Sequence, residues 1–304
     1  MRKVPDMNIL VIGGTGMIGS NIAALLSEKG ATVTIGARKP PVPGSAVARF
    51  PLLIGDYTRG GYTAAGLAPF DAIVFSAGND IRHIAKDDDP DTFWRTTQID
   101  GVPNFVALAR EAGVKRLVQL GSYYHQALPH LVATDAYVRA RSLADGKARA
   151  LATPAFNVCT LNPPSIVGVV PGVTTLRYQK LVDYARGKLD ILVYAPMGGT
   201  NYMSVRSLSE AVWGALQNAK SGTPYLVGDE NLSFRDYFQL FFDAVGNPHQ
   251  VEARDVDHPL LPVVFIVPGR NSVLAYEPDA GETALLGYRR HDVRRAVEEI
   301  VALY

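Results

Sequence analysis

What this sequence lacks sets the first constraints. It holds one cysteine, Cys159, so an internal disulfide is excluded. No cluster of cysteine or histidine has the spacing of a metal site. The expected compartment for such a chain is a reducing cytoplasm. An excess of one charge is also missing: 30 Lys and Arg stand against 29 Asp and Glu, spread along 304 residues. That balance offers no face for nucleic acid or an anionic membrane. Long apolar runs are absent as well. NILVI near the N-terminus is too short for a signal-peptide core and ends in glycines. LLPVVFIVP (residues 260–268) is broken by prolines well short of the roughly 18 residues of a membrane span. A soluble protein is expected.

What is present is ordinary globular material, 47% hydrophobic and 19% charged, enough for a large core. Asn8 to Ile12 reads as a strand, followed by glycines and by Ile18, Ile22, Leu25 and Leu26 at helical spacing, stopped by Gly30. Further strands are expected at 31–35, 52–54, 72–76, 116–120 and 156–161, with helices at 102–112 and 137–151. Strands that are apolar on both faces and alternate with helices indicate a parallel sheet covered on both sides, a doubly wound α/β fold. After Ser165 the rhythm loosens. ILVYA and PYLVG read as short strands, Leu208 to Gln217 and Phe234 to Val245 as helices. The expected division is a sheet domain over residues 1–165, with 203–220 returning to it, and a smaller interleaved lobe over 166–202 and 221–304. There is no internal repeat.

The turn GGTGMIG joins the first strand to the first helix. Gly14, Gly16 and Gly19 fit GxGxxG, while Gly13, Gly16 and Gly19 fit GxxGxxG. Glycine spacing alone is weak and also describes a tight turn without a ligand. Between a buried strand and an amphipathic helix, it is the pattern that brings backbone close to a dinucleotide pyrophosphate. An NAD site places an acid at the end of the second strand. Here the sequence is IGARKP, and Arg38 and Lys39 offer cations to a 2′-phosphate, favouring NADP over NAD; both also read as solvated loop cations. Asp56, in IGDYT, is placed to accept from an adenine amino group or to serve as a turn residue.

Taken together, GGTGMIG, GDYT, FSAG, AREAGVKRLVQLGS, the Tyr137-x-x-x-Arg141 helix and LNPPSIVG resemble the extended short-chain dehydrogenases/reductases, the NAD-dependent epimerase/dehydratase-like group. The resemblance spans nearly the whole chain. It implies a Rossmann domain with a substrate lobe, and cofactor contacts from Gly13, Thr15, Gly16, Met17, Ile18, Asp56, Tyr57, Ala77 and Gly78. Pro163, Pro164 and Ile166 would wall a nicotinamide; read alone, they simply end a strand. The catalytic positions are carried by Ser122, which would hold a substrate oxygen, and by Tyr137, which would give or take the proton.

The family's lysine position holds Arg141. A free tyrosine titrates near pH 10, so it is a poor base unless a cation stabilises its phenolate. Residues i and i+4 share a helix face, so Arg141 keeps the charge and the reach to ribose, but arginine does not relay a proton. Sugar-nucleotide members carry an arginine shortly before the segment matching NYMSV, where this chain has Thr200. Its absence points to the branch resembling dihydroflavonol reductases, hydroxysteroid dehydrogenases and carbonyl reductases. The expected activity is hydride transfer between NADP and a ketone or alcohol carbon of a small organic substrate. The alternatives are an epimerase or dehydratase using the cofactor transiently, or a non-catalytic NADP-binding regulator. A homodimer through the tyrosine helix is a further expectation from the family. His125, in the loop between Ser122 and Tyr137, is either a proton carrier or a residue that orients the loop or contacts substrate, and DDDPD (87–91) reads as a solvated cap of the helix beginning near Thr92.

Overall fold

The apolar run Asn8–Ile12 (β1) forms a strand between β2 (Thr32–Ala37) and β4 (Ala72–Phe75), where strand order reverses in a seven-stranded sheet. β3 (Leu52–Ile54) closes one edge; β5 (Arg116–Leu120) and β6 (Asn157–Asn162) extend the other. All neighbours are parallel. The computed structural model describes residues 6–170 and 172–304. Residues 1–5, the start of the expected sheet domain, lie outside the described residues.

Burial on both faces explains the strand composition. On one face Ile9 and Val11 pack with Ile22 and Leu26 of the helix Met17–Glu28 and with Leu208 and Val212 of the helix Val205–Asn218. On the other, Leu10 and Ile12 pack with Phe105 of the helix Gly101–Glu111 and Ala144 of the helix Ala136–Arg149. The doubly wound fold is thus present, and each fully buried aliphatic side chain contributes about 1.5–3 kcal/mol. A buried arginine ties two of these layers: Arg116 Nη1 donates to the carbonyls of Ala215 and Leu216 at 2.9 and 2.8 Å, near the end of their helix. Those carbonyls lie in the last turn, where a cation is electrostatically favoured. Cys159 is buried in β6, and burial pushes its thiol up to about 12, leaving it inert.

The smaller layer centres on β9 (Gly199–Ser204), flanked by β7 (Ser165–Val167), β11 (Glu230–Ser233) and β13 (Val273–Leu274). β8 (Tyr194–Pro196) pairs with β12 (Glu252–Arg254). A second core joins the helix Leu176–Ala185 to the aromatic face of the helix Phe234–Val245 through Tyr184, Phe238 and Phe242. One expectation needs correcting. PYLVG was assigned to the lobe, but its residues Pro224–Leu226 form β10, which pairs in parallel with β6 at the edge of the main sheet. Tyr225 and Val227 belong to the sheet-domain core, so burial there outweighs proximity in sequence to the lobe.

Candidate active site

The glycine turn is shaped by close approach. Gly13 has φ +79°, and a Cβ on it would lie 2.8 Å from the Ala77 nitrogen. At Gly19 a Cβ would lie 2.3 Å from the Gly13 carbonyl oxygen. Gly14 is as tight, with a Cβ 2.6 Å from the Ile35 side chain, whereas one on Gly16 would meet the Gly13 carbonyl oxygen only at 3.4 Å. Gly16 caps the helix Met17–Glu28 without a side chain, so the first-turn amides face outward beside a cradle that any Cβ would fill. A dinucleotide pyrophosphate fits that arrangement.

Across from this turn runs a cavity of about 690 Å³, along the carboxyl ends of β1, β4, β5 and β6 and into the lobe. It brings together Gly13, Gly16, Met17, Ile18, Gly78, Ser122, Tyr137, Arg141, Pro163 and Ile166. Six expected cofactor residues do not line it: Thr15, Arg38, Lys39, Asp56, Tyr57 and Ala77. Arg38 and Lys39 are exposed immediately after β2. Asp56 Oδ1 accepts from the Thr58 amide and hydroxyl at 2.9 and 2.7 Å, acting as the cap of a short turn. The Tyr57 hydroxyl donates to the Thr97 carbonyl and accepts from Asn79, both at 2.8 Å, and burial above all pushes it up to about 12.

Tyr137 lies in the first turn of the helix Ala136–Arg149, which Asp135 caps by accepting from the Val138 amide at 2.8 Å. Its ring is wedged between Trp94 and Tyr124, with centroids 5.3 and 6.1 Å away. No residue among those described accepts from or donates to its hydroxyl. Ser122 follows β5 and is 5% exposed. One turn past Tyr137, the buried Arg141 donates through Nη2 to the carbonyls of Leu120, at 3.2 Å, and Gly121. The guanidinium therefore grips the end of the strand that presents Ser122, a role the spacing did not foresee. Its Nε is buried with no hydrogen-bond partner among the described residues.

Several residues reach this site unannounced by motif. Asp80 and Arg82, in the loop after β4, line the cavity as an ion pair. Burial opposes ionisation of Asp80, but hydrogen bonds from His83 and Arg82 hold its carboxyl well below the usual range. The FSAG segment marks that loop, and its position at a strand's carboxyl end is the signal for it. Tyr123 donates to or accepts from Thr200 Oγ1 at 2.9 Å, so the position that carries arginine in sugar-nucleotide relatives is occupied by a hydroxyl pair. His125 turns away from the cavity. Its Nε2 meets Asp145 Oδ2 at 2.9 Å, while Arg149 Nε donates to Asp145 Oδ1 at 2.7 Å. Burial would raise the Asp145 carboxyl, but the His125 and Arg149 hydrogen bonds hold it near about 2. The proton-carrier reading of His125 thus gives way to a loop anchor.

A family model for the NAD dependent epimerase/dehydratase family matches residues 9–228. The chain belongs to that family. Among solved structures, gox2253 is similar at 20% identity, covering 98% of both chains with a TM-score of 0.75. UDP-galactose 4-epimerase is similar at 16% identity over 97% of both chains, TM-score 0.69. The Bordetella bronchiseptica enzyme WbmH, solved in complex with NAD+, is similar at 17% identity over 98% of this chain and 97% of its own, TM-score 0.71. At such identities the likeness is one of fold. Comparison with curated protein sequences gives no match. Among the described residues, no helix is long and apolar enough to cross a membrane.

Proposed function

We propose that this family member is an NADP-dependent oxidoreductase acting on a ketone or alcohol carbon of a small organic substrate. The observation that carries the reading is the unpartnered Tyr137 hydroxyl, which shares one cavity with Ser122 and the glycine cradle. When bound, a nicotinamide cofactor supplies or accepts the hydride. In the reductive direction Tyr137 gives its proton to the substrate oxygen as the carbonyl carbon is reduced, and the oxygen becomes a hydroxyl. Ser122 holds that oxygen by a hydrogen bond. Arg141 keeps β5 and Ser122 in place through the Leu120 and Gly121 carbonyls, and brings its charge to the cavity it lines. Pro163 and Ile166 exclude water from the reacting face.

Support for NADP comes from Arg38 and Lys39 following β2 where an NAD site would place an acid. Purified protein is expected to consume NADPH with at least one of a panel of aryl and alkyl ketones, and to be protected thermally more by NADPH than by NADH. Arg38→Gln should weaken NADPH about tenfold, the loss of one charge-assisted hydrogen bond, and leave NADH unchanged. Equal protection by NADH would remove the assignment to NADP. Family membership favours a second reading, an epimerase or dehydratase that uses its cofactor transiently. Substrate interconversion without net NADPH consumption would select it, and tight cofactor binding without any turnover would indicate a regulator.

A further inference from the structure

The lobe side of the cavity holds cations that proton and hydride transfer leave unused. Arg177 and Lys180 sit three residues apart on the helix Leu176–Ala185, hence on one face of it, and both line the cavity. The only acid of that helix, Asp183, pairs with Lys188 at 3.5 Å, and neither Arg177 nor Lys180 has an ion-pair partner among the described residues. Arg177 packs 5.7 Å from the Tyr178 ring centroid. Tyr202 and Tyr237 line the same cavity as Arg177. Around the cavity the cations are Arg82, Arg141, Arg177 and Lys180, against a single carboxylate, Asp80, which is already bound by Arg82.

The walls near these cations are apolar. Tyr202 and Tyr237 stack at 4.3 Å, with Phe238 beside Tyr237. LLPVVFIVP, the most apolar stretch of the sequence, adds Leu260, Leu261, Phe265 and Ile266 to the cavity lining. Ile266 is buried in the lobe core, while Phe265 is 43% exposed. An apolar wall left open beside a cavity is matched by an apolar ligand.

We infer that the substrate is an apolar, aromatic-sized ketone or alcohol carrying a carboxylate at the end remote from the reacting carbon, selected by Arg177 with Lys180. This rests on the cavity being the substrate site of the oxidoreductase proposed above. Arginine's planar fork suits a carboxylate, and Lys180 one turn along adds a second charge.

Binding tests the inference apart from turnover. Calorimetry on the protein saturated with oxidised cofactor would compare 4-acetylbenzoate and (4-acetylphenoxy)acetate with their methyl esters. At least one acid is expected to bind tenfold or more tighter than its ester. Arg177→Gln and Lys180→Gln should each erase most of that preference and leave ester binding unchanged. Both side chains are exposed, so the variants should fold, and an unchanged melting temperature verifies this. Equal binding of acids and esters, no binding of either acid, or a preference that survives both substitutions overturns the inference. Tight binding of UDP-glucose together with weak binding of the acids overturns it in favour of a sugar nucleotide. If the acids bind with the expected preference and no ketone is turned over, the oxidoreductase reading fails while the carboxylate site stands.

Discussion

Tyr137→Phe is expected to lower kcat by about a hundred- to ten-thousandfold, the range a positioned general acid supplies. The change isolates one atom. The phenylalanine ring keeps its place between Trp94 and Tyr124, and the lost hydroxyl had no partner among the described residues, so folding should be untouched. Steady-state kinetics with NADPH, a cofactor titration and a melting curve together decide it. Turnover should collapse while cofactor affinity and melting temperature stay within error. Undiminished kcat would show that the proton comes from elsewhere, and the hydroxyls of Tyr123 and Tyr124, also at the cavity, would be the next to remove. A melting temperature several degrees lower would mean that the residue is structural.

The largest effect on stability is expected from Asp145→Ala. Asp145 is 1% exposed and accepts from both His125 and Arg149. Its removal takes the counter-charge from Arg149 and the hydrogen-bond partner from the largely buried His125, at a cost of about 3 kcal/mol for a broken buried pair. Its carboxyl is held near about 2 in the folded chain against 3.8 ordinarily, so its contribution is complete above about pH 4 and disappears as pH falls toward 2. Over that window the linkage amounts to on the order of 2 kcal/mol. Urea unfolding at a series of pH values should therefore show Asp145→Asn with a flatter acid limb than wild type, and the two curves should converge near pH 2. Parallel curves at every pH would refute the assignment.

The parts of this molecule legible in sequence are those governed by local pattern and by burial on two faces. NILVI followed by glycines and a helical stripe has few other structures open to it, and Gly13, Gly16, Met17 and Ile18 of that turn line the cavity. Ser122 and Tyr137 were singled out by the family resemblance, and they line the same cavity. PYLVG shows the limit. A three-residue strand carries too little pattern to say which sheet it joins, and its partner β6 lies some 60 residues away in the chain. The helix Leu176–Ala185 went unread although Thr175 caps it and Tyr178, Leu181, Val182 and Ala185 mark its buried face. The nearby prolines and glycines masked that spacing, and Arg177 and Lys180 were lost with it. His125 shows another kind of limit: nearness to Ser122 in sequence implied a place in the pocket, yet a carboxylate twenty residues on draws the ring inward. Such pairings are set by tertiary packing, which single-sequence spacing does not encode.

Arg141 began as a substitution of one cation for another, and its contacts make it harder to reverse than that description implies. The guanidinium meets two successive carbonyls at the end of β5 through one nitrogen, and its Nε is buried beside them with no hydrogen-bond partner among the described residues. An ammonium on a shorter stem has no such fork. A lysine restored at this position would regain a titratable group while leaving the strand end to find new donors. Arg141 is thereby a clamp as much as a charge, and a lysine in its place leaves the support beneath Ser122 to be rebuilt.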